Sequence, residues 1–61
     1  MESLAVRKRV LLIDDDPRVR ASLKMVLEPI YDILQASDGR EGLDVFRKDE
    51  PDLILLDVIL P

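Results

Sequence analysis

Two short apolar runs, each ended by an aspartate, constrain the fold of this 61-residue chain more than any other feature. The runs are residues 10–13 (VLLI) and 53–56 (LILL), and neither alternates with polar residues. Continuous apolar runs of this length are typical of parallel strands that are covered on both faces. The sequence therefore predicts an α/β fold in which carboxylates follow two strands of one sheet.

A helix is predicted directly after the first run. Asp16 suits its N-cap and Pro17 its first position, and Pro29 ends the helix near Glu28. Apolar residues recur on one face of this helix at helical spacing, and they are Val19, Leu23, Val26 and Leu27.

A further strand and helix come before the second run. Residues 31–36 (YDILQA) form the predicted strand, which is less apolar and is therefore expected nearer an edge of the sheet. Asp38 and Glu41 form an acidic variant of the capping box before a predicted helix at about residues 40–48. The expected core contacts of this helix are Leu43 and Phe46.

The resulting β-α-β-α-β order predicts parallel strands joined by right-handed crossovers. This order occupies residues 10–61 as one domain, and residues 1–9 are predicted to be a flexible lead-in.

The composition excludes several classes of active site. The chain contains no cysteine and no histidine, which excludes a disulfide framework, a thiolate zinc site and a Ser-His-Asp or Cys-His enzyme. Its net charge of −4 argues against non-specific binding to nucleic acid or to an anionic membrane. No apolar run approaches the roughly 18 residues of a membrane span, and the N-terminus lacks the apolar stretch of a signal peptide. We therefore expect a cytoplasmic protein.

Three carboxylates are expected to meet at one edge of the sheet. Asp14 and Asp15 follow the first apolar run, and Asp57 follows the last. Neighbouring parallel strands lie ~4.8 Å apart, and ligand sites in open α/β sheets lie outside their carboxyl ends. Without histidine, a cation that prefers oxygen ligands, Mg²⁺ or Mn²⁺, is the expected means of holding these groups ionised together. One carboxylate would then be free to act as a nucleophile that accepts phosphate.

Each acidic residue also has a structural interpretation. Asp16 is most simply an N-cap, and Asp15 can stabilise the helix dipole from the first turn. Asp57 can be a turn residue before a loop. Asp14 adds a like charge where capping is already provided, so a structural role suits it less well.

The segments VLLIDDDPRVRASLKMVLE, ASDGREGLDVF and PDLILLDVILP resemble the first half of a response-regulator receiver domain, the CheY-like domain of two-component systems. The resemblance covers residues 10–61 and rests on three linked motifs, which are the acidic pair, the D-G turn and the P-D-apolar-D-x-x-x-P block. It implies a flavodoxin-like fold with three parallel strands in the order 2-1-3. It also implies a role in phosphorelay signal transduction and no enzyme activity of its own.

By this resemblance, Asp57 is the phosphoacceptor that takes a phosphoryl group from a sensor histidine kinase. Asp14 and Asp15 are the acidic pair that binds Mg²⁺, Asp15 directly and Asp14 largely through water. The backbone carbonyl of Ile59 completes the protein ligands of the metal. Leu60 stands where the family often has methionine, which is a conservative apolar exchange.

The resemblance also implies a truncation. Receiver domains have five strands and roughly twice this length, and their hydroxyl residue after strand four and lysine after strand five have no counterpart here. We therefore expect phosphotransfer to Asp57 to be slow or absent. The apolar strand at residues 53–56 is left as an unpaired edge, so we expect association with a second copy or with a complementing second half.

Two alternatives stay open. The chain can be a non-catalytic, self-associating interaction fragment whose acidic residues are a remnant. Alternatively, Asp14 and Asp16 can form the D-x-D motif of a haloacid-dehalogenase-type phosphatase, although Pro17 stands where that motif usually has threonine or valine.

Overall fold

A computed structural model describes residues 7–56 of the chain. The described elements, in chain order, are β1 (Arg9–Ile13), α1 (Pro17–Leu27), β2 (Asp32–Ala36), α2 (Gly39–Asp49) and β3 (Leu53–Leu56). The three strands are parallel and lie in the order β2-β1-β3. The predicted α/β fold and strand order are therefore confirmed.

β1 lies at the centre of the sheet and supplies most of the core. Val10, Leu11 and Leu12 are almost inaccessible to solvent. They are buried because β2 and β3 pair with both edges of β1, while α1 and α2 pack over it. Right-handed crossovers in the order β2-β1-β3 place the two helices on opposite faces of the sheet.

The strand begins one residue earlier than predicted, at Arg9, which was expected to lie in the lead-in. The backbone N–H of Arg9 donates to Oδ2 of Asp52 at 2.8 Å, which joins the start of β1 to the turn before β3. The Arg7 guanidinium donates to the carbonyl oxygen of Tyr31 at 2.8 Å. Residues 7 and 9 therefore contact the fold, and residues 1–6 lie outside the described part of the chain.

The core contact of α2 differs from the prediction. Leu43 and Phe46 are 46% and 45% exposed, and the half-buried Val45 packs against the core cluster of β1 and β2 instead. The helix is turned so that the buried Gly42 lies against Ile13. A Cβ atom at residue 42 would lie only 2.4 Å from Cδ1 of Ile13, so the helix approaches the sheet more closely than any larger residue would allow.

α1 packs less tightly than α2. None of its residues is fully buried, although Val19, Leu23 and Leu27 are half-buried on the predicted face. Val26, the fourth residue expected on that face, is 69% exposed. Within residues 7–56, neither helix is long and apolar enough to cross a bilayer.

Candidate acidic site at the carboxyl edge of the sheet

Asp14 lies directly after β1 and is only 3% exposed. Its Oδ1 atom accepts a hydrogen bond from the backbone N–H of Asp16 at 2.8 Å. Its own backbone N–H donates to the carbonyl oxygen of Ala36 at 3.2 Å, which holds the residue against the end of β2. Asp14 is therefore fixed on both sides by the main chain.

The second carboxylate oxygen of Asp14 is the most unusual atom of this edge. Oδ2 is buried and, within the described residues, has no hydrogen-bond partner. A buried carboxylate oxygen without a donor is costly, and such a group in a native fold calls for a cation or a water molecule. Asp14 lines a small recess together with Leu12 and Leu55.

Asp15 and Asp16 follow Asp14 and have different surroundings. Asp15 is exposed at the same edge of the sheet. Asp16 is the N-cap of α1, as predicted, and its Oδ1 accepts the backbone N–H of Arg18 at 2.9 Å. This hydrogen bond is the main reason that the pKa of Asp16 lies below its usual value. Asp16 is thus committed to the helix, which leaves Asp14 and Asp15 for a ligand.

The N-terminus of α2 lies at the same edge. Asp38 is its N-cap and accepts the backbone N–H of Glu41 at 2.8 Å. The Glu41 carboxylate accepts the N–H of Ser37 at 2.7 Å and its hydroxyl at 2.8 Å, and these bonds hold the pKa of Glu41 below its usual value. The predicted acidic capping box is confirmed, except that Glu41 reaches Ser37 rather than the backbone of Asp38.

Arg20 is a site residue that the sequence did not reveal. Its guanidinium donates to the backbone carbonyl oxygen of Asp14, so it ties the first turns of α1 to the end of β1. Its charge also helps to lower the pKa of Asp16 and of Glu41, after the hydrogen bonds to each carboxylate. The only sequence signal was its position four residues after Asp16, which fits an ordinary solvated helix face equally well.

The other predicted site residues, Asp57 and Ile59, lie outside the described residues. The register of the sheet nevertheless places Leu56, the last residue of β3, opposite Ile13, the last residue of β1. Within residues 7–56 there is no group of three acidic, histidine or cysteine residues that could hold a metal. The described part of the chain therefore supplies two carboxylates of the predicted site, and the third stays a prediction.

Comparison with known proteins identifies the family. The family model of the response regulator receiver domain matches the sequence at residues 10–61. The response regulator MprA of Mycolicibacterium vanbaalenii is 46% identical over 54 residues, which are 87% of this chain and 23% of that protein. A probable transcriptional regulator, ycf27, of Galdieria sulphuraria is 39% identical over 62 residues, which are 100% of this chain and 24% of that protein.

A solved structure agrees with these relatives. The crystal structure of a response regulator receiver modulated diguanylate cyclase from Pelobacter carbinolicus superimposes with a TM-score of 0.82 at 31% identity. The match covers 84% of this chain and 55% of that chain. The chain spans about a quarter of the length of the curated relatives that it matches. It belongs to the response regulator receiver domain family.

Proposed function

We propose that the chain is a phosphoryl acceptor in a phosphorelay, with Asp57 as the residue that takes the phosphoryl group from a sensor histidine kinase. In this step an Asp57 carboxylate oxygen forms a bond to phosphorus while the P–N bond of the kinase phosphohistidine breaks. The phosphoryl group moves from the kinase histidine to the Asp57 side chain, so the chain acts as a substrate of the kinase rather than as an enzyme. Membership of the receiver family supports this role.

The observation that carries the proposal is the buried, unpartnered Oδ2 atom of Asp14. Asp14 and Asp15 follow β1 at the edge where β3 ends, one residue before Asp57. A purely structural carboxylate would use both of its oxygens within the fold, as Asp16 does when its Oδ1 and Oδ2 accept from Arg18. The free oxygen of Asp14 is suited to a ligand of the acidic edge.

The donor set at this edge fits Mg²⁺, or Mn²⁺ in its place. We propose that Asp14, Asp15, Asp57 and the backbone carbonyl of Ile59 hold the ion, since these cations prefer carboxylate and carbonyl oxygens. The bound ion would neutralise the clustered carboxylates and stabilise charge on the phosphoryl oxygens. Arg20 and the N–H of Asp16 orient Asp14 from the protein side, so that its free oxygen stays available.

A Mg²⁺ titration of the isotope-labelled chain, followed by NMR, tests the metal site. We expect saturable shifts centred on Asp14 and Asp15, and their loss in Asp15→Asn. Asp44→Asn is the matched control, because Asp44 is an exposed carboxylate in the middle of α2 and is not one of the proposed ligands. Shifts of equal size in both variants would mean that Mg²⁺ binds only diffusely to an acidic surface.

A second role, association with another chain, is favoured by a separate observation. All four residues of β3 are apolar and exposed, although the strand has the length and composition of a buried one. We propose that a second copy of the chain, or a complementing second half, covers this strand. Sedimentation at micromolar concentration tests the second copy, which predicts an assembly; a folded monomer would contradict it and leave the complementing second half.

A further inference from the structure

Arg20, in the first turns of α1, holds the main chain between the two acidic residues that follow β1. Its guanidinium donates to the backbone carbonyl oxygen of Asp14. This carbonyl belongs to the peptide unit that joins Asp14 to Asp15. Because a peptide unit is planar, a hydrogen bond that fixes its carbonyl also fixes the direction in which the chain leaves Asp14 and enters Asp15. A single contact of Arg20 therefore acts on both residues.

The other bonds of Asp14 hold different parts of the residue. Its N–H donates to the carbonyl of Ala36 at 3.2 Å, and its Oδ1 accepts the N–H of Asp16 at 2.8 Å. These two bonds fix the amino side of Asp14 and its side chain. Within residues 7–56, Arg20 is the donor that reaches the Asp14 carbonyl. Asp15 is exposed, and the peptide unit that Arg20 holds is its link to the buried Asp14.

The positive charge of Arg20 would by itself oppose a metal ion. A guanidinium near a cation site repels the cation, so electrostatics alone predicts that Arg20 weakens Mg²⁺ binding. The same charge also acts on the carboxylates of Asp16 and Glu41, and it helps to lower the pKa of each. These two carboxylates offset the guanidinium, which leaves the directed hydrogen bond as its main effect on the acidic edge.

We propose that Arg20 is a positioning residue of the acidic site, which fixes the Asp14–Asp15 peptide unit so that both carboxylates are ordered before Mg²⁺ binds. This inference rests on the proposed function and adds to it a residue that touches neither the ion nor the phosphoryl group. Mg²⁺ tolerates little deviation from its preferred coordination, so ligands that are already ordered bind it more tightly. Residues that orient metal ligands typically contribute about 10–100-fold to metal affinity.

Mg²⁺ titrations of two Arg20 variants, followed by NMR, test this role. Arg20→Gln shortens the side chain and removes its charge, and it should raise the dissociation constant for Mg²⁺ about tenfold. Arg20→Lys should lose less affinity, because an ammonium group at the end of a long side chain can still donate to the Asp14 carbonyl. Rescue by lysine would show that the hydrogen bond is what the site requires.

Arg18→Gln is the matched control. It removes the same charge from the same helix, but the Arg18 side chain is 91% exposed and donates to Asp16 rather than to Asp14. The cap of α1 is kept, because Asp16 accepts the backbone N–H of Arg18. The Mg²⁺ dissociation constant of this variant should stay almost unchanged.

A second measurement needs no metal. In the metal-free chain, the carbonyl carbon of Asp14 should change its chemical shift in Arg20→Gln, because its hydrogen bond is lost, and should keep it in Arg18→Gln. Circular dichroism should show that all three variants are folded. Because the affinity is measured on folded protein, a loss of stability alone would leave the dissociation constant unchanged.

The outcomes separate this inference from the proposed function. Tighter Mg²⁺ binding by Arg20→Gln would mean that charge repulsion outweighs positioning, and it would overturn the inference. A shifted Asp14 carbonyl with an unchanged dissociation constant would also overturn it, because Arg20 would then serve the fold alone. If the unmodified chain bound no Mg²⁺, the proposed metal site would itself fail, and the positioning role would fail with it.

Discussion

Replacement of Gly42 by alanine is expected to destabilise the chain, against the usual preference of a helix interior. Alanine favours a helix by about 1 kcal/mol over glycine. The added methyl group, however, would lie 2.4 Å from Cδ1 and 3.1 Å from Cγ1 of Ile13, a residue that is only 9% exposed. Overpacking of this kind costs about 1–3 kcal/mol, so the net loss should be about 1 kcal/mol.

Two further variants isolate the cause. Gly39→Ala is the matched control, since a Cβ atom there meets nothing within 4 Å, and it should be neutral or slightly stabilising. Ile13→Val deletes the Cδ1 atom and by itself should cost about 1 kcal/mol. In the double variant the two losses should not add, because the shortened side chain makes room for the new methyl group.

Urea unfolding followed by circular dichroism measures all four free energies of unfolding. A coupling of about 1 kcal/mol in favour of the double variant is expected. Two results would contradict this reasoning: Gly42→Ala stabilises the chain, as expected from helix propensity alone, or the effects of the two substitutions are additive. Either would mean that the contact between Gly42 and Ile13 does not determine how α2 packs on β1.

Three other contacts yield predictions. Arg20→Gln should cost about 1 kcal/mol of stability, because the hydrogen bond to the Asp14 carbonyl is lost. NMR titration should also show that the carboxyl pKa of Asp16 rises, and an unchanged pKa would contradict the placement of Arg20 beside Asp16. The folded-state pKa of Glu41 is lowered, so its contribution is present above about pH 4.5 and is lost as pH falls through the folded value. The stability difference between the chain and Glu41→Gln should therefore shrink below that pH, and a constant difference would contradict the assignment. Asp52→Ala should cost about 1 kcal/mol in urea unfolding and Asp52→Asn less, because only the asparagine can still accept the N–H of Arg9.

Local signals in the sequence predicted the elements and their caps well. The two apolar runs became β1 and β3, and Asp16 and Asp38 cap the helices as expected. These features depend on residues within one turn or one strand of each other, so the sequence contains them directly. The strand order followed from the family resemblance and agrees with the sheet.

The features that were missed depend on contacts between distant segments. Leu43 and Phe46 had the right spacing for a core face, but the close approach of Gly42 to Ile13 turns α2 so that Val45 packs instead. The same limit applies to Asp14. Its identity was visible in the sequence, but its burial and its free oxygen arise only when β2 and α1 close around it.

The central claim, that the acidic edge and Asp57 act together as a phosphoryl site, is tested most directly by the binding of beryllofluoride, a phosphoryl analogue. Fluorine NMR of the chain with Mg²⁺ should show a bound signal that disappears when the metal is chelated. The signal should also be absent in Asp57→Asn and in Asp15→Asn, and present in Asp44→Asn. A bound signal that persists without Mg²⁺ or in Asp57→Asn, or no bound signal in the unmodified chain, would contradict the claim.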